Sequence, residues 1–118
     1  MTRVAVVTGG TRGIGEAISL KLQEKGRLVI ANYGGNDAAA HAFSERTGIA
    51  VRKWNVGDHK SCLDACAAIE AEYGQIDIMV NNAGVTTPES FLKLTTKKWD
   101  LVMNVNLRGT FLCTKAVL

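Results

Sequence analysis

The sequence predicts an α/β fold in which a doubly wound parallel sheet carries helices on both faces, in three layers. Short apolar runs alternate three times with segments of helical period and end in a further apolar run, on the period of about 30 residues that parallel crossover units have. Right-handed crossovers make this the first half of such a sheet, incomplete at the C-terminus. With 118 residues, 47% of them hydrophobic, residues 1–118 suit one domain with a substantial core.

The first strand, Val4 to Val7, leads into a glycine turn over residues 9–15, and apolar residues then recur at helical spacing. Gly9, Gly13 and Gly15 let the backbone turn tightly, approach a ligand closely and pack the helix against the strand. The free N–H groups and positive dipole end of the first helical turn suit a pyrophosphate. The turn therefore predicts a Rossmann-type dinucleotide site, although a glycine triplet alone also serves ordinary strand-to-helix connections.

The second strand, Arg27 to Asn32, follows Gly26, which we place at the helix C-terminus. In NAD-binding units a carboxylate about 20 residues beyond the glycines accepts hydrogen bonds from the adenosine ribose. Here Asn32 and Tyr33 occupy that place. The missing carboxylate removes a repulsion against a 2′-phosphate, and Arg12 can supply positive charge to it. We therefore expect NADP rather than NAD, the alternative for Arg12 being a solvated surface cation.

The later elements continue the alternation and are marked by caps. The predicted elements are a helix over 37–47, a strand over 49–54, a helix over 59–73, a strand over 76–80 and a helix beginning near residue 97. Asp37 caps or begins its helix, Gly48 ends it, Asp58 caps the next, and Thr95 or Thr96 caps the last. Residues 85–94 read as a loop containing Pro88.

Composition and cysteine usage argue against several classes of function. The net charge of +3 comes from scattered basic residues, so nucleic acid is a poor first guess, and no apolar stretch is long enough to cross a bilayer. We expect a cytoplasmic protein without a membrane partner. Cys62 and Cys66 could share a metal with His59, but burial as small apolar residues is favoured, so we expect no metal site. His41 and His59 are expected at the surface.

Asn81-Asn82-Ala83-Gly84, directly after the fourth strand, is the second strong motif. A ligand of an open parallel sheet lies beyond the carboxyl ends of the strands, where the strand order reverses. The two asparagine side chains can bridge neighbouring strands, and Ala83 and Gly84 are small enough for a flat ligand to pass over them. In isolation the same four residues could equally form a turn.

Together these motifs resemble the short-chain dehydrogenase/reductase family over essentially the whole chain. Within it, residues 8–15, 31–37, 53–58 and 99–104 look most like bacterial acetoacetyl-CoA reductases, close relatives of the 3-oxoacyl-(acyl-carrier-protein) reductases. The resemblance implies NADPH-dependent reduction of a 3-oxoacyl thioester to the 3-hydroxyacyl thioester. It also implies that Asn55 and Val56 meet the adenine ring and that Asn106 holds a water in a proton relay. The alternatives are an ordinary turn residue at Asn55 and, at Asn106, bonding to nearby backbone where the helix is irregular.

The resemblance assigns a set of site residues. The expected cofactor-binding residues are Gly9, Gly10, Arg12, Gly13, Ile14, Gly15, Asn32, Tyr33, Asn55, Val56, Asn82, Ala83 and Gly84, and the expected catalytic residue is Asn106. The chain departs from the reductases at Thr86-Thr87-Pro88, where they usually have Thr-Arg-Asp, and that loop borders the substrate.

By the resemblance, the family's catalytic serine and its Tyr-x-x-x-Lys helix are expected beyond Leu118. Neither Tyr33 nor Tyr73 fits that motif, because an Asp follows four residues after each of them. We therefore expect the chain to be the cofactor-binding part of a longer reductase, inactive by itself. The open edge of the fourth strand predicts self-association or a covering remainder, and the family implies a homo-oligomer, often a tetramer. Competing interpretations are a non-catalytic NAD(P)-binding sensor or regulatory module and a methyltransferase, against which Asn32 argues.

Overall fold

The computed structural model describes residues 2–118, which form four strands and five helices in regular alternation up to the fourth strand. The elements are β1 Val4–Val7, α1 Gly13–Glu24, β2 Leu28–Tyr33, α2 Asp37–Thr47, β3 Ala50–Lys53, α3 His59–Tyr73, β4 Ile76–Val80, α4 Thr96–Met103 and α5 Gly109–Val117. A 3₁₀ turn, Phe91–Lys93, lies between β4 and α4, and a π-helical segment, Asn104–Arg108, joins α4 to α5. Among these helices none is long and apolar enough to cross a membrane.

The strands pair in parallel in the order β3-β2-β1-β4, which confirms the predicted doubly wound sheet. Successive residues of β1 alternate between the two faces. Val4 and Val6 pack on one side with α3 and α5, whereas Val7 packs on the other side with α2 and the partly buried apolar side chains of α1. Both faces of the sheet are thus covered, as the three-layer prediction requires.

The ends of the helices follow the chemistry that the sequence predicted. Asp58 accepts a hydrogen bond from the Ser61 N–H at 2.8 Å and caps α3. Thr95, rather than Thr96, caps α4. Gly26 adopts a left-handed φ of 85° after α1, where its N–H and that of Arg27 donate to the carbonyls of Gln23 and Leu22, the two bonds of a Schellman motif. Asp37 begins α2, which is capped by Asn36 instead.

The order in which strands join the sheet reverses after β3. Strands β2 and β3 lie on one side of β1, and β4 lies on the other, so the carboxyl ends of β1 and β4 meet where the strand order reverses. The glycine turn follows β1 and the Asn-Asn-Ala-Gly segment follows β4. Two motifs that are about 70 residues apart in sequence therefore meet at one edge of the sheet.

Candidate cofactor site

A cleft of about 640 Å³ opens at the carboxyl edge of the sheet. It is lined by Gly9, Thr11, Arg12, Gly13, Asn32, Tyr33, Gly34, Gly35, Asn36, Ala39, Trp54, Asn55, Val56, Asn82, Ala83, Gly84, Val85 and Val105. These residues come from the segments that follow all four strands and from the region of the π-helical segment. The cleft thus occupies the position at which open parallel sheets bind their ligands.

The N-terminus of α1 differs from those of α2, α3 and α4. The side chains of Asn36, Asp58 and Thr95 each accept a backbone N–H at the start of their helix. Arg12 stands at the corresponding position of α1 in extended conformation, and its side chain makes no capping bond. Within residues 2–118, no acceptor takes the first N–H groups of this helix. The helix therefore presents free donors and its positive dipole end beside the cleft.

Glycine is required in the turn for two different reasons. Gly9 has a φ of 60°, and a Cβ there would lie 3.1 Å from Cα of Ala83, so the backbone at the cleft floor has no room for a side chain. Gly13 has a φ of 57° and open space around it. The left-handed φ therefore favours glycine at both positions, and Gly9 in addition packs closely against Ala83.

Gly10 and Gly15 lie behind the cleft instead of lining it. A Cβ on Gly15 would overlap the carbonyl oxygen of Gly9 and lie 2.6 Å from Nδ2 of Asn82. A Cβ on Gly10 would lie 2.8 Å from Oγ of Ser19, whose hydroxyl donates to the Gly10 carbonyl. These two glycines hold α1 against the turn, so their part in binding is indirect.

Asn32 ties three strand ends together through a fully buried amide. Its Oδ1 accepts the N–H of Gly9 at 3.0 Å, and its Nδ2 donates to the carbonyl of Trp54 at 3.0 Å. Both ends of the amide are thereby occupied, so Asn32 supports the cleft wall and its side chain is not free for a ribose. A carboxylate could not replace it, because the Trp54 carbonyl needs a donor.

Thr8 and Asn82 connect the glycine turn to the end of β4. The hydroxyl oxygen of Thr8 accepts the N–H groups of Asn82 and Ala83, both at 2.9 Å, and the hydroxyl donates to the carbonyl of Val80 at 3.3 Å. Asn82 Nδ2 in turn donates to the carbonyls of Thr8 and Gly9. Asn82 bridges neighbouring strands as predicted.

The same prediction is wrong for Asn81. Its side chain donates to Oγ1 of Thr114 on α5 at 3.0 Å. The side chain therefore faces the helical layer and does not reach a neighbouring strand.

A charged cluster stands at the carboxyl ends of β2 and β3. The Tyr33 hydroxyl donates to Oδ1 of Asp37 at 3.0 Å, and Nζ of Lys53 lies 3.4 Å from the same oxygen. The hydrogen bond from Tyr33, followed by that from Lys53, lowers the pKa of Asp37. Desolvation, followed by the Asp37 carboxylate, raises the pKa of Tyr33. Tyr33 is therefore a neutral phenol and Asp37 a carboxylate across the neutral pH range.

The segment expected to meet the adenine ring, Asn55 and Val56, forms a turn that packs on α5. Oδ1 of Asn55 accepts the N–H of Gly57 at 2.9 Å, so the alternative interpretation of Asn55 as a turn residue describes its side chain, although the residue also lines the cleft. Val56 is buried, and a Cβ on Gly109 of α5 would lie 2.8 Å from its Cγ2. The close packing of α5 against Val56 thus fixes the position of this wall of the cleft.

The three cysteines lie beneath that wall as buried free thiols. Sγ of Cys62 lies 3.7 Å from Sγ of Cys113 and donates to the carbonyl of Val56 at 3.3 Å. Burial raises the pKa of Cys62 to about 12 and that of Cys66 to about 11, so both remain protonated. The predicted burial of Cys62 and Cys66 is confirmed, and in the described part of the chain no His, Cys, Asp and Glu side chains cluster to hold a metal.

Asn106 lies in the π-helical segment, and its side chain holds the loop after the Asn-Asn-Ala-Gly motif. Nδ2 donates to the carbonyl of Val85 at 2.9 Å and Oδ1 accepts the Val85 N–H at 2.8 Å. The side chain thus bonds to backbone, as the alternative interpretation holds, but the partner lies in a loop 21 residues away in sequence and not in the nearby helix. Asn106 lines a neighbouring groove of about 360 Å³ that shares Val85 with the cleft. Its role in a proton relay stays a prediction.

The structure brings most of the predicted cofactor residues to the cleft. Those that line it are Gly9, Arg12, Gly13, Asn32, Tyr33, Asn55, Val56, Asn82, Ala83 and Gly84, whereas Gly10, Ile14 and Gly15 do not. Ile14 is 76% exposed, and its backbone N–H is among the first of the helix. His41 and His59 are exposed, as predicted.

Sequence reasoning missed several lining residues and one organising residue. The missed lining residues are Thr11, Gly34, Gly35, Asn36, Ala39, Trp54, Val85 and Val105. Thr11, Gly34, Gly35, Asn36 and Val85 lie two to five residues after a predicted strand and Trp54 ends one, and proximity to the carboxyl end of a strand was the available signal. Thr8 lies within residues 8–15, which carry part of the resemblance, but nothing in the sequence indicates that its hydroxyl links the glycine turn to β4.

The chain resembles known proteins over nearly all of its length. The family model for short chain dehydrogenases matches residues 3–118. Acetoacetyl-CoA reductases from Shinella zoogloeoides and Paracoccus denitrificans are each 50% identical to it over 117 residues, which is 99% of this chain and 48% of each relative. A 3-oxoacyl-(acyl-carrier-protein) reductase from Staphylococcus aureus is 35% identical over 96% of this chain and 48% of that relative. The chain thus spans about half the length of the curated relatives it matches.

A solved structure of a short-chain dehydrogenase from Novosphingobium aromaticivorans superposes with a TM-score of 0.90. The superposition covers 98% of this chain and 44% of that one, at 25% sequence identity.

Proposed function

Since the chain belongs to the short-chain dehydrogenase family, we propose that it binds NADP(H) as the cofactor-binding part of a reductase that converts a 3-oxoacyl thioester to the 3-hydroxyacyl thioester. The uncapped start of α1 beside the cleft carries the proposal. Free N–H groups at a glycine turn suit a pyrophosphate. The name acetoacetyl-CoA reductase of the relatives from Shinella and Paracoccus supports the thioester substrate.

Each wall of the cleft has a distinct task in this proposal. The α1 N-terminus takes the pyrophosphate, Asn55 and Val56 border the adenine, and Ala83 and Gly84 leave a flat surface for the nicotinamide. When bound, the nicotinamide supplies a hydride. The residues of the cleft position that ring, and Asn82 and Thr8 hold the backbone beneath it.

Arg12 is the proposed reason for choosing NADP over NAD. It lines the cleft, and within residues 2–118 its guanidinium makes no ion pair. The place where a ribose-binding carboxylate would stand holds Asn32, whose amide is occupied by backbone. A guanidinium that makes no ion pair, beside an amide in the place of the ribose-binding carboxylate, favours a 2′-phosphate over a hydroxyl.

Calorimetry of the 118-residue chain with NADPH, NADH and S-adenosylmethionine tests this proposal. We expect NADPH to bind at least about tenfold more tightly than NADH, and Arg12→Ala to remove about tenfold of the NADPH affinity, the value of one charge-assisted hydrogen bond. Arg27→Ala is the matched control, since Arg27 is a surface arginine that bonds to the carbonyl of Lys25 outside the cleft. Absence of NADPH binding, or equal effects of the two substitutions, would contradict the proposal.

We also propose that the chain alone does not reduce the substrate. Protonation of the developing alkoxide needs an acid positioned beside it. The Tyr33 hydroxyl is engaged with Asp37, and Tyr73 ends α3, whereas the cleft lies at the carboxyl edge of the sheet. We expect NADPH absorbance to stay constant when acetoacetyl-CoA is added to the purified chain. Oxidation of NADPH that depends on acetoacetyl-CoA would refute this.

We further propose that the protein works in the cytoplasm as a homo-oligomer, a tetramer being what the family implies. Three buried free thiols suit a reducing compartment. Leu107 and Phe111, both more than half exposed near the start of α5, provide an apolar surface that a second subunit can cover.

A further inference from the structure

Lys53 stands beside the adenosine end of the cleft because of the strand register. Tyr33 and Lys53 are partners in the parallel pairing of β2 and β3, and each is the last residue of its strand. Paired residues on neighbouring strands point to the same face of a sheet. Tyr33 lines the cleft, and Trp54, Asn55 and Val56, which line it too, directly follow Lys53. The lysine therefore lies at the rim of the cleft although it was not among the predicted site residues.

A carboxylate holds this lysine in place. Asp37 lies in the first turn of α2. Its Oδ1 accepts a hydrogen bond from the Tyr33 hydroxyl at 3.0 Å and lies 3.4 Å from Nζ of Lys53. Asn36, which precedes it, lines the cleft and caps the helix. The ammonium group, the phenol and the carboxylate thus form one connected cluster next to the cleft.

The cluster reduces the electrostatic repulsion that a phosphorylated ribose would meet at this end of the cleft. An unpaired Asp37 carboxylate so near the cleft would repel a dianionic 2′-phosphate but not a neutral 2′-hydroxyl. Lys53 cancels that charge, and its side chain is about half exposed, so the ammonium group keeps donors free for a second acceptor. Arg12 supplies a cation from the glycine-turn side of the same cleft.

The geometry points to Lys53 as the second cation that selects a 2′-phosphate, with Asp37 as the residue that positions it beside Tyr33. The inference rests on the proposed NADP(H) binding and deepens it. Arg12 follows β1 and Lys53 ends β3, so the phosphate is approached by positive charge from both sides of the β2 end.

The test compares NADPH and NADH dissociation constants, measured by calorimetry on the 118-residue chain. We expect Lys53→Ala to weaken NADPH binding about fivefold and to leave NADH binding within about twofold, because it removes a partly screened cation and exposes the charge of Asp37. Asp37→Asn is expected to strengthen NADPH binding about threefold, since the amide oxygen can still accept the Tyr33 hydroxyl while the negative charge is lost. Lys60→Ala is the matched control, because Lys60 forms a comparable exposed pair with Asp64 on α3.

Selectivity separates a charge effect from a structural one. A loss caused by charge shrinks as salt concentration rises, because exposed charges are screened, and the difference between wild type and Lys53→Ala should shrink with it. Equal weakening of NADPH and NADH by Lys53→Ala, or an effect no larger than that of Lys60→Ala, would overturn the inference while leaving the proposed function intact. If the wild-type chain bound neither dinucleotide, the proposed function would fail and the inference with it.

Discussion

We expect Gly15→Ala to lower the free energy of unfolding by about 3 kcal/mol, at the upper end of overpacking effects, and to abolish measurable NADPH binding. The added methyl would overlap the carbonyl oxygen of Gly9 and lie 2.8 Å from its carbonyl carbon. Neither atom can move freely, since Gly9 is tied by its N–H to Asn32 and by its carbonyl to Asn82. The methyl therefore either pushes α1 away from the turn or distorts the proposed pyrophosphate site.

Urea unfolding followed by circular dichroism measures the first effect, and NADPH titration the second. Gly35→Ala is the control for stability alone, because a Cβ there meets nothing within 4 Å and its φ is not left-handed, although Gly35 lines the cleft. It should change the unfolding midpoint little. An alanine at position 15 that left both stability and binding unaltered would show that the turn is more plastic than its contacts imply.

Thr8→Val should cost about 1 to 3 kcal/mol of stability, because the partly buried Ala83 N–H loses its acceptor and the Asn82 N–H keeps only the Val80 carbonyl. Valine keeps the shape of threonine, so the change removes the hydroxyl without opening a cavity. Thr8 is only 2% exposed, and water cannot easily replace the lost bonds to Asn82 and Ala83. NADPH binding should weaken as well, since both residues line the cleft.

Thr8→Ser restores the hydroxyl and is expected to recover most of the stability. Hydrogen exchange locates the effect, because the amides of Asn82 and Ala83 should lose protection in the valine variant before those of β1 do. If the valine and serine variants unfolded at the same urea concentration, the hydroxyl would not be the link between the two motifs.

The elements could be predicted from the sequence because local signals mark their ends. Helix α2 runs over 37–47 and α3 over 59–73, as predicted, since Asp58, Gly48 and Gly74 delimit them by capping chemistry. Strand β2 is displaced by one residue, ending at Tyr33, because pairing with β3 extends it beyond its apolar run. Pairing between strands that are distant in sequence cannot be predicted from a local sequence pattern.

Side-chain roles were harder to predict than positions. Asn32 was expected beside the ribose and lies at the cleft, but its amide bonds Gly9 and Trp54, contacts that only the assembled sheet creates. Lys53 was overlooked because nothing near it in sequence connects it to Asp37, 16 positions earlier. An irregular helix at Asn106 was among the alternatives, but the partner of its side chain, the loop at Val85, could not be predicted because it lies 21 residues away in sequence.

The position of β4 next to β1 also determines when the cleft can exist during synthesis. The hydroxyl of Thr8 has its partners 74 and 75 residues later in the chain, and the intervening strands β2 and β3 lie on the opposite side of β1. Such distant closure is slow, because the entropy of a long loop is lost before the contacts are gained. We therefore expect a nascent chain on the ribosome to complete this cleft only after the Asn-Asn-Ala-Gly segment has left the exit tunnel, and the β4 side of β1 to stay uncovered until then.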